Sequence, residues 1–221
     1  GLKVTGLTFT SNGGEIISAK PTFLAMMDFA KQWGASINWV PVKSDKGYDL
    51  SEIENRISKK TKLIFLCNPN NPTGTLIPSK KLYDFCETAA NKTIVFSDEA
   101  YYDYIEDPNY PSMIDLIKKN KNVIVSKTFS KVYGMAGLRV GYLIAKPELA
   151  KKIRENIVAR SNVLGIEAAK EALNDKEFYT FSLKKNKESK QRIYSLLDEL
   201  NLNYVKSHTN FIFFHSKRNI E

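Results

Sequence analysis

Residues 62–74 read KLIFLCNPNNPTG, and this stretch decides the fold. Lys62–Cys67 is apolar after its first residue, which predicts a short strand that is covered on both faces. Two prolines and a glycine follow, and they predict a rigid loop that presents asparagine side chains. A buried strand followed directly by a polar loop is typical of α/β sheets, whose ligands bind outside the carboxyl ends of the strands.

The same alternation extends in both directions along the chain. Further strands are predicted at Glu15–Ala19, Ile37–Val42, Thr93–Ser97, Asn122–Ser126 and Arg139–Ala145. Helices are predicted at Thr22–Gly34, Leu50–Lys59, Ser79–Asn91, Ser112–Lys118, Glu148–Arg160, Ile166–Leu173 and from about Lys176 to Leu200. This order predicts an α/β fold, a three-layer sandwich with helices on both faces of a mostly parallel, mixed sheet.

The sequence changes character toward its end, where a highly charged helix leads to the apolar segment Phe211–Phe214, a predicted strand. We therefore expect residues 1–176 to form a large domain whose N-terminal part is missing. Residues 177–221 would begin a small α+β domain. Because the chain starts with Gly1 and not with Met, we expect it to be a piece of a longer protein.

Composition excludes several classes of protein. The chain has 221 residues, of which 43% are hydrophobic, so it can bury a core and is neither disordered nor fibrous. No apolar run approaches the roughly 18–20 residues of a membrane span, so no membrane partner is expected. Two cysteines without a Cys-x-x-Cys motif make a disulfide scaffold improbable and favour a reducing, cytoplasmic setting.

The net charge of +9 has two interpretations, a polyanionic partner or a lysine-rich solvated surface. The lysine clusters are scattered along the chain, and acidic residues lie close to two of them. We favour the solvated surface and expect no nucleic-acid partner.

Polar side chains follow three of the predicted strands. Asn68–Gly74 follows the first, Asp98–Tyr101 the second and Lys127–Lys131 the third, with Arg139 soon after. Because the carboxyl ends of parallel strands meet at one edge, an amide, a carboxylate, a phenol, an amine and a guanidinium should converge there. Such an ensemble is what a cofactor site needs.

Other kinds of site fit poorly. The glycines of a phosphate-binding loop are absent before Lys127-Thr128, and an apolar strand follows Gly134–Gly137 where a KH domain needs a helix. A penicillin-binding Ser-x-x-Lys motif would need serine at position 128, where threonine stands. Only two histidines are present, both near the end, so a serine-protease triad or a metal site is improbable.

At these residues the sequence resembles the pyridoxal-phosphate-dependent aminotransferases of fold type I, class I/II, and is most similar to their histidinol-phosphate branch. The matching motifs are Asn68-Pro-Asn-Asn71-Pro-Thr-Gly74, Asp98-Glu-Ala-Tyr101, Ser126-Lys-Thr-Phe-Ser-Lys131 and Gly137-Leu-Arg139-Val-Gly141. Their order and the eight-residue step from Lys131 to Arg139 agree with the family.

The resemblance implies a role for each matching residue. Lys131 would form a Schiff base with pyridoxal 5'-phosphate and then act as the catalytic base. Asp98 would pair with the pyridine nitrogen, and Asn71 and Tyr101 would donate hydrogen bonds to the O3′ oxygen. The cofactor phosphate would be bound by the guanidinium and hydroxyls of three further residues, Arg139, Thr128 and Ser130.

Phe23 would stack on the pyridine ring by the same resemblance, although a core aromatic at a helix start explains it as well. The implied reaction is transamination between an amino acid and a keto acid in a homodimer. For this branch, histidinol phosphate and 2-oxoglutarate give imidazole acetol phosphate and glutamate, a step of histidine biosynthesis.

Two alternatives stay open. Threonine-phosphate decarboxylase, C–S lyases and aromatic or aspartate aminotransferases share these motifs, and a MocR-type transcription regulator carries a similar domain that binds an effector.

This sequence has no counterpart to three features of the family. They are the N-terminal phosphate-binding helix start, the tyrosine that reaches the neighbouring subunit and the substrate-carboxylate arginine. Arg218 follows Asn210 too closely to be that arginine.

Overall fold

A computed structural model describes residues 1–158 and 162–218. Its centre is one six-stranded sheet with the order β2-β1-β3-β4-β5-β6. The strands are β1 (Glu15–Lys20), β2 (Ser36–Pro41), β3 (Thr61–Cys67), β4 (Ile94–Asp98), β5 (Val123–Thr128) and β6 (Gly141–Ala145). All neighbours are parallel except β5 and β6, which are antiparallel, so the predicted mostly parallel, mixed sheet is confirmed.

Helices cover both faces of the sheet. They are α1 (Leu2–Thr10), α2 (Ala25–Lys31), α3 (Leu50–Asn55), α4 (Ser79–Ala89), α5 (Ile114–Lys118), α6 (Pro147–Glu155), α7 (Val163–Asn174) and α8 (Lys176–Glu199). One apolar core lies between the sheet and α3, α4 and α5, and a second between the sheet and α1, α2 and α6. The sheet is therefore the middle of three layers, as the sequence predicts.

The chain reverses direction across the sheet between β1 and β3. From β1 it passes outward to β2, and from β2 it returns to the other side of β1 to form β3. A crevice opens at the carboxyl ends of strands at such a switch point, where α/β proteins bind ligands. This position brings the loops after β1, β3, β4 and β5 to one edge.

Two predicted elements are corrected. The strand expected at Phe211–Phe214 is absent from the described residues, where an isolated bridge joins Tyr204 and Phe214. Phe211 instead packs edge-on against Tyr101, with 5.2 Å between the ring centroids. Its apolar side chain therefore packs at the edge of the sheet where the predicted site residues lie. Strand β6 begins two residues later than predicted because Arg139 has a left-handed backbone, φ 56°, which breaks the strand.

The sequence analysis did not predict helix α1. Several predicted helices extend beyond the ends of the observed ones. Residues 159 and 160, the last two of the helix predicted at Glu148–Arg160, lie outside the part of the chain that the structure describes. No helix of the described residues is long and apolar enough to cross a membrane.

Candidate functional site

The loop after β3 is held by two buried asparagines. Asn68 donates to the hydroxyl of Tyr110 (2.8 Å) and accepts from the backbone N–H of Ile77 (2.9 Å). Asn70 donates to the carbonyl of Pro21 (3.2 Å) and to the hydroxyl of Thr73 (2.8 Å). These contacts fix the backbone on both sides of position 71.

Asp98 lies at the last position of β4 and is 4% exposed. Its Oδ1 accepts hydrogen bonds from the Ser126 hydroxyl (2.7 Å) and from the backbone N–H of Ala100 (3.3 Å). Burial, with a smaller effect of the Glu99 charge, raises the pKa of this carboxyl above its ordinary value, although the two hydrogen bonds and the charge of Lys131 act in the opposite direction. Within the described residues no donor binds Oδ2, which is therefore available to a cationic group.

Tyr101 connects the three loops. Its hydroxyl accepts a hydrogen bond from Asn71 Nδ2 at 3.2 Å, and the Lys131 Nζ atom lies 5.0 Å from the centroid of its ring. Phe211 packs against the same ring, and Tyr101 is 4% exposed. The structure therefore brings Asn71, Asp98, Tyr101 and Lys131 together at one edge of the sheet.

The predicted phosphate contacts begin at Thr128, the last residue of β5, and continue beyond it. Thr128 Oγ1 accepts from the backbone N–H of Ser130 at 3.1 Å, which places the two residues in one tight turn. Arg139 is exposed, and its guanidinium donates to the carbonyl of Ala136 at 2.7 Å. Among the described residues, none of the other predicted site residues bonds to it.

Phe23 follows β1 and precedes α2, directly after the buried Thr22. It is 38% exposed, so its ring is not part of the core. Of the two sequence interpretations, the exposed ring fits a ligand contact better than a core aromatic.

A polar cluster that sequence reasoning missed lies near the carboxyl ends of β1 and β3. We call it the Tyr48 cluster; it consists of Tyr48, Thr22 and Asn70. The hydroxyls of Tyr48 and Thr22 are 3.0 Å apart, and the Asn70 Oδ1 atom accepts from both, at 3.1 and 2.8 Å. The partners are 22 to 48 residues apart in sequence, so no local pattern could reveal them.

A buried ion pair, also missed, lies beside Asp98. Lys127 Nζ is 2.8 Å from Glu99 Oε2, with side chains 15% and 3% exposed. Glu99 also accepts from the hydroxyl of Ser112 (2.8 Å) and from the backbone N–H of Met113 (2.9 Å). Because Asp98 of β4 is paired with Ser126 of β5, this ion pair joins the residue that follows β4 to the next residue of β5.

The sequence of this chain is similar to those of histidinol-phosphate aminotransferases. A histidinol-phosphate aminotransferase of Caldicellulosiruptor saccharolyticus is 38% identical over 205 residues, which cover 92% of this chain and 57% of the relative. One from Moorella thermoacetica is 38% identical over 216 residues, covering 96% and 55%. The chain spans about half the length of the relatives it matches.

Solved structures agree in fold. The crystal structure of a histidinol-phosphate aminotransferase from Sinorhizobium meliloti in complex with pyridoxal-5'-phosphate superposes with a TM-score of 0.87. That protein is 27% identical, and the match covers 96% of this chain and 57% of that one. The family model described as aminotransferase class I and II matches residues 2–220. The chain therefore belongs to the class I and II aminotransferase family.

Proposed function

We propose that this chain is part of a pyridoxal-phosphate-dependent aminotransferase that acts in histidine biosynthesis. Its reaction would convert histidinol phosphate and 2-oxoglutarate to imidazole acetol phosphate and glutamate. The observation that carries the proposal is the meeting of Asn71, Asp98, Tyr101 and Lys131 at the carboxyl ends of three neighbouring strands.

The chemistry of these side chains fits pyridoxal phosphate group by group. An aldehyde needs an amine, which Lys131 offers, and a pyridine nitrogen that must stay protonated needs a buried carboxylate, which Asp98 offers. The open Oδ2 atom of Asp98 supports this pairing. The phenolic oxygen needs donors, and the amide of Asn71 and the hydroxyl of Tyr101 already lie side by side.

When bound, pyridoxal phosphate supplies an electron sink for the pair released when the substrate Cα loses its proton. Lys131 would hold the aldehyde carbon and, once an amino substrate displaces it, take the proton from Cα. Its amine would then hold that proton and return it to the C4′ carbon of the cofactor. Asp98 would keep a proton on the ring nitrogen, and its negative charge would have the greatest effect in the transition state.

The remaining predicted residues surround these four. Thr128 and Ser130, in one turn, would bind the cofactor phosphate with their hydroxyls, and Arg139 with its guanidinium. Arg139 would exchange its bond with the Ala136 carbonyl for the phosphate. Phe23, exposed beside the crevice, would cover one face of the ring.

The substrate assignment is supported by the names of three relatives at 36–38% identity, each a histidinol-phosphate aminotransferase. It is also supported by the histidinol-phosphate aminotransferase whose solved structure contains pyridoxal phosphate.

The same proposal extends to organisation and setting. Residues 1–176 hold the sheet and every site residue, which supports their assignment to the cofactor domain, with residues 177–221 beginning a second domain. Helices α7 and α8 expose Leu164 and Phe181, which supports a further apolar contact such as a homodimer interface. The buried, unpaired cysteines suit a cytoplasmic setting.

An assay of amino transfer tests the proposal. The chain, and the longer protein that contains it, are loaded with pyridoxal phosphate and given histidinol phosphate with 2-oxoglutarate, and glutamate is measured. Lys131→Ala should remove the activity, whereas Lys151→Ala, an exposed lysine of α6, should leave it unchanged. Aspartate, phenylalanine and threonine phosphate are tested in parallel.

The result identifies the reaction as well as the substrate. Glutamate formed from aspartate or phenylalanine and not from histidinol phosphate would reassign the substrate. Carbon dioxide released from threonine phosphate without glutamate would replace transamination by decarboxylation. Activity that survives Lys131→Ala would contradict the proposed site.

A further inference from the structure

The Tyr48 cluster lies where strand β3 loses its neighbour. Strand β1 pairs with β3 only as far as Ser18 and Phe65, whereas it continues beside β2 to Lys20. The backbone N–H of Cys67, which lies on the β1 side of β3, therefore has no partner in β1. The hydroxyl of Tyr48 accepts its hydrogen bond at 3.1 Å and takes the place of the missing strand.

The cluster is fully hydrogen-bonded. Asn70 accepts two bonds at Oδ1 and donates two through Nδ2, which uses the whole capacity of its amide. Tyr48 is 5% exposed, Thr22 is 4% exposed and Asn70 is completely buried. Removing one member leaves the others with unmet hydrogen-bonding groups, which is costly in a buried place.

The cluster joins the two loops that carry proposed cofactor contacts. Thr22 is the residue before Phe23, and Asn70 is the residue before Asn71. Tyr48 itself comes from the segment between β2 and α3. The Tyr48 hydroxyl thus holds the loop that contains Phe23 and the loop that contains Asn71 at a fixed separation.

We infer that Tyr48 is a positioning residue, whose hydroxyl sets the relative places of Phe23 and Asn71 without itself touching the cofactor. The inference rests on the proposed function, because it takes these two residues as cofactor contacts. Phenylalanine at position 48 would fill the same space but leave the Cys67 N–H and the Asn70 amide incompletely paired.

The test compares Tyr48→Phe with Tyr110→Phe. Tyr110 is also 5% exposed, and its hydroxyl makes two bonds to the opposite side of the same loop, to Asn68 and Ile77. Neither bond reaches residues 22–24. Amide hydrogen exchange is measured on the chain without cofactor, and the affinity for pyridoxal phosphate is then measured from its visible absorbance.

We expect exchange in Tyr48→Phe to rise on the order of tenfold in residues 22–24 and 67–75 together, the effect of a buried group left unpaired. In Tyr110→Phe it should rise only in the region from Asn68 to Ile77. The affinity for pyridoxal phosphate should fall further in Tyr48→Phe than in the control.

Thr22→Val removes another hydroxyl of the cluster and should loosen the same two segments, which keeps the test decisive if Tyr48→Phe fails to fold. Unchanged exchange at residues 22–24, or an unchanged cofactor affinity in a loosened variant, overturns the inference. If the wild-type chain takes up no pyridoxal phosphate, the proposed function fails for this chain. A joint rise in exchange in both segments would then still support the link that Tyr48 makes between them, and an unchanged exchange would overturn it.

Discussion

Replacing Lys127 by methionine tests whether the buried ion pair holds the ends of β4 and β5. The Glu99 carboxylate is 3% exposed and has Lys127 as its cationic partner at 2.8 Å. The Lys127 ammonium also lies 3.7 Å from the centroid of the Tyr102 ring. Methionine matches the length of the lysine stem, so the change removes the charge with little loss of packing.

The expected loss follows from the burial of Glu99. Removing one partner of a buried pair leaves an uncompensated charge, which costs about 3–5 kcal/mol. For a chain of this size each kcal/mol lowers Tm by roughly 2–4 °C, so Tm should fall by roughly 6–20 °C. The hydrogen bonds from Ser112 and Met113 remain and place the loss toward the lower end.

Thermal and urea unfolding followed by circular dichroism measure this loss. Lys118→Met is the matched control, because Lys118 pairs with Asp115 on the surface, with side chains 72% and 55% exposed. Exposed pairs contribute about 0–1 kcal/mol. The double variant Glu99→Gln/Lys127→Met should recover part of the stability, since it removes the unpaired charge. A loss in Lys127→Met no larger than that of the control would refute the reasoning.

Three further predictions concern residues of the same edge. Asp98→Asn should raise Tm of the cofactor-free chain while abolishing transamination, because burial opposes the charged carboxyl. The contribution of Asp98 to stability should fall as the pH rises from the ordinary carboxyl pKa to the raised one, since only the folded state keeps the proton there; Asp98→Asn should lack this contribution, and an identical pH dependence of stability in the two proteins would contradict it. Gly74→Ala should cost more than about 1 kcal/mol in urea unfolding, since φ is +71° and a Cβ would lie 2.8 Å from the Ser207 hydroxyl, whereas Gly137→Ala has open space; equal losses would exclude this cause. Both cysteines are buried with raised pKa, so a thiol reagent should modify them only after unfolding, and rapid modification of the folded chain would show that they are accessible.

The central strands were predictable because each is a short apolar run between polar loops. Strands β1, β3, β4 and β5 lie within two residues of their predicted bounds. Helix α1 was not predictable in the same way, because LKVTGLTFT is rich in threonine and contains Gly6, both poor helix formers. Its stability comes from packing on α2, where Gly6 lies close to Met26 and Ala30.

The site divides along the same line. Asn71, Asp98, Tyr101 and Lys131 could be named from sequence because each follows a strand or stands in a short motif. The Tyr48 cluster and the Glu99–Lys127 pair could not, because their partners are far apart in sequence and meet only through the sheet order. Sequence therefore predicts which groups would contact a cofactor, whereas the structure is needed to find the side chains that bond to the loops carrying them.

Covalent trapping of the cofactor tests the central claim most directly. The chain is incubated with pyridoxal phosphate, reduced with borohydride, digested and mapped by mass spectrometry. The account predicts a pyridoxyl label on Lys131 and its loss in Lys131→Ala. A stable label confined to another lysine, such as Lys127, or a label unchanged in Lys131→Ala, would contradict it.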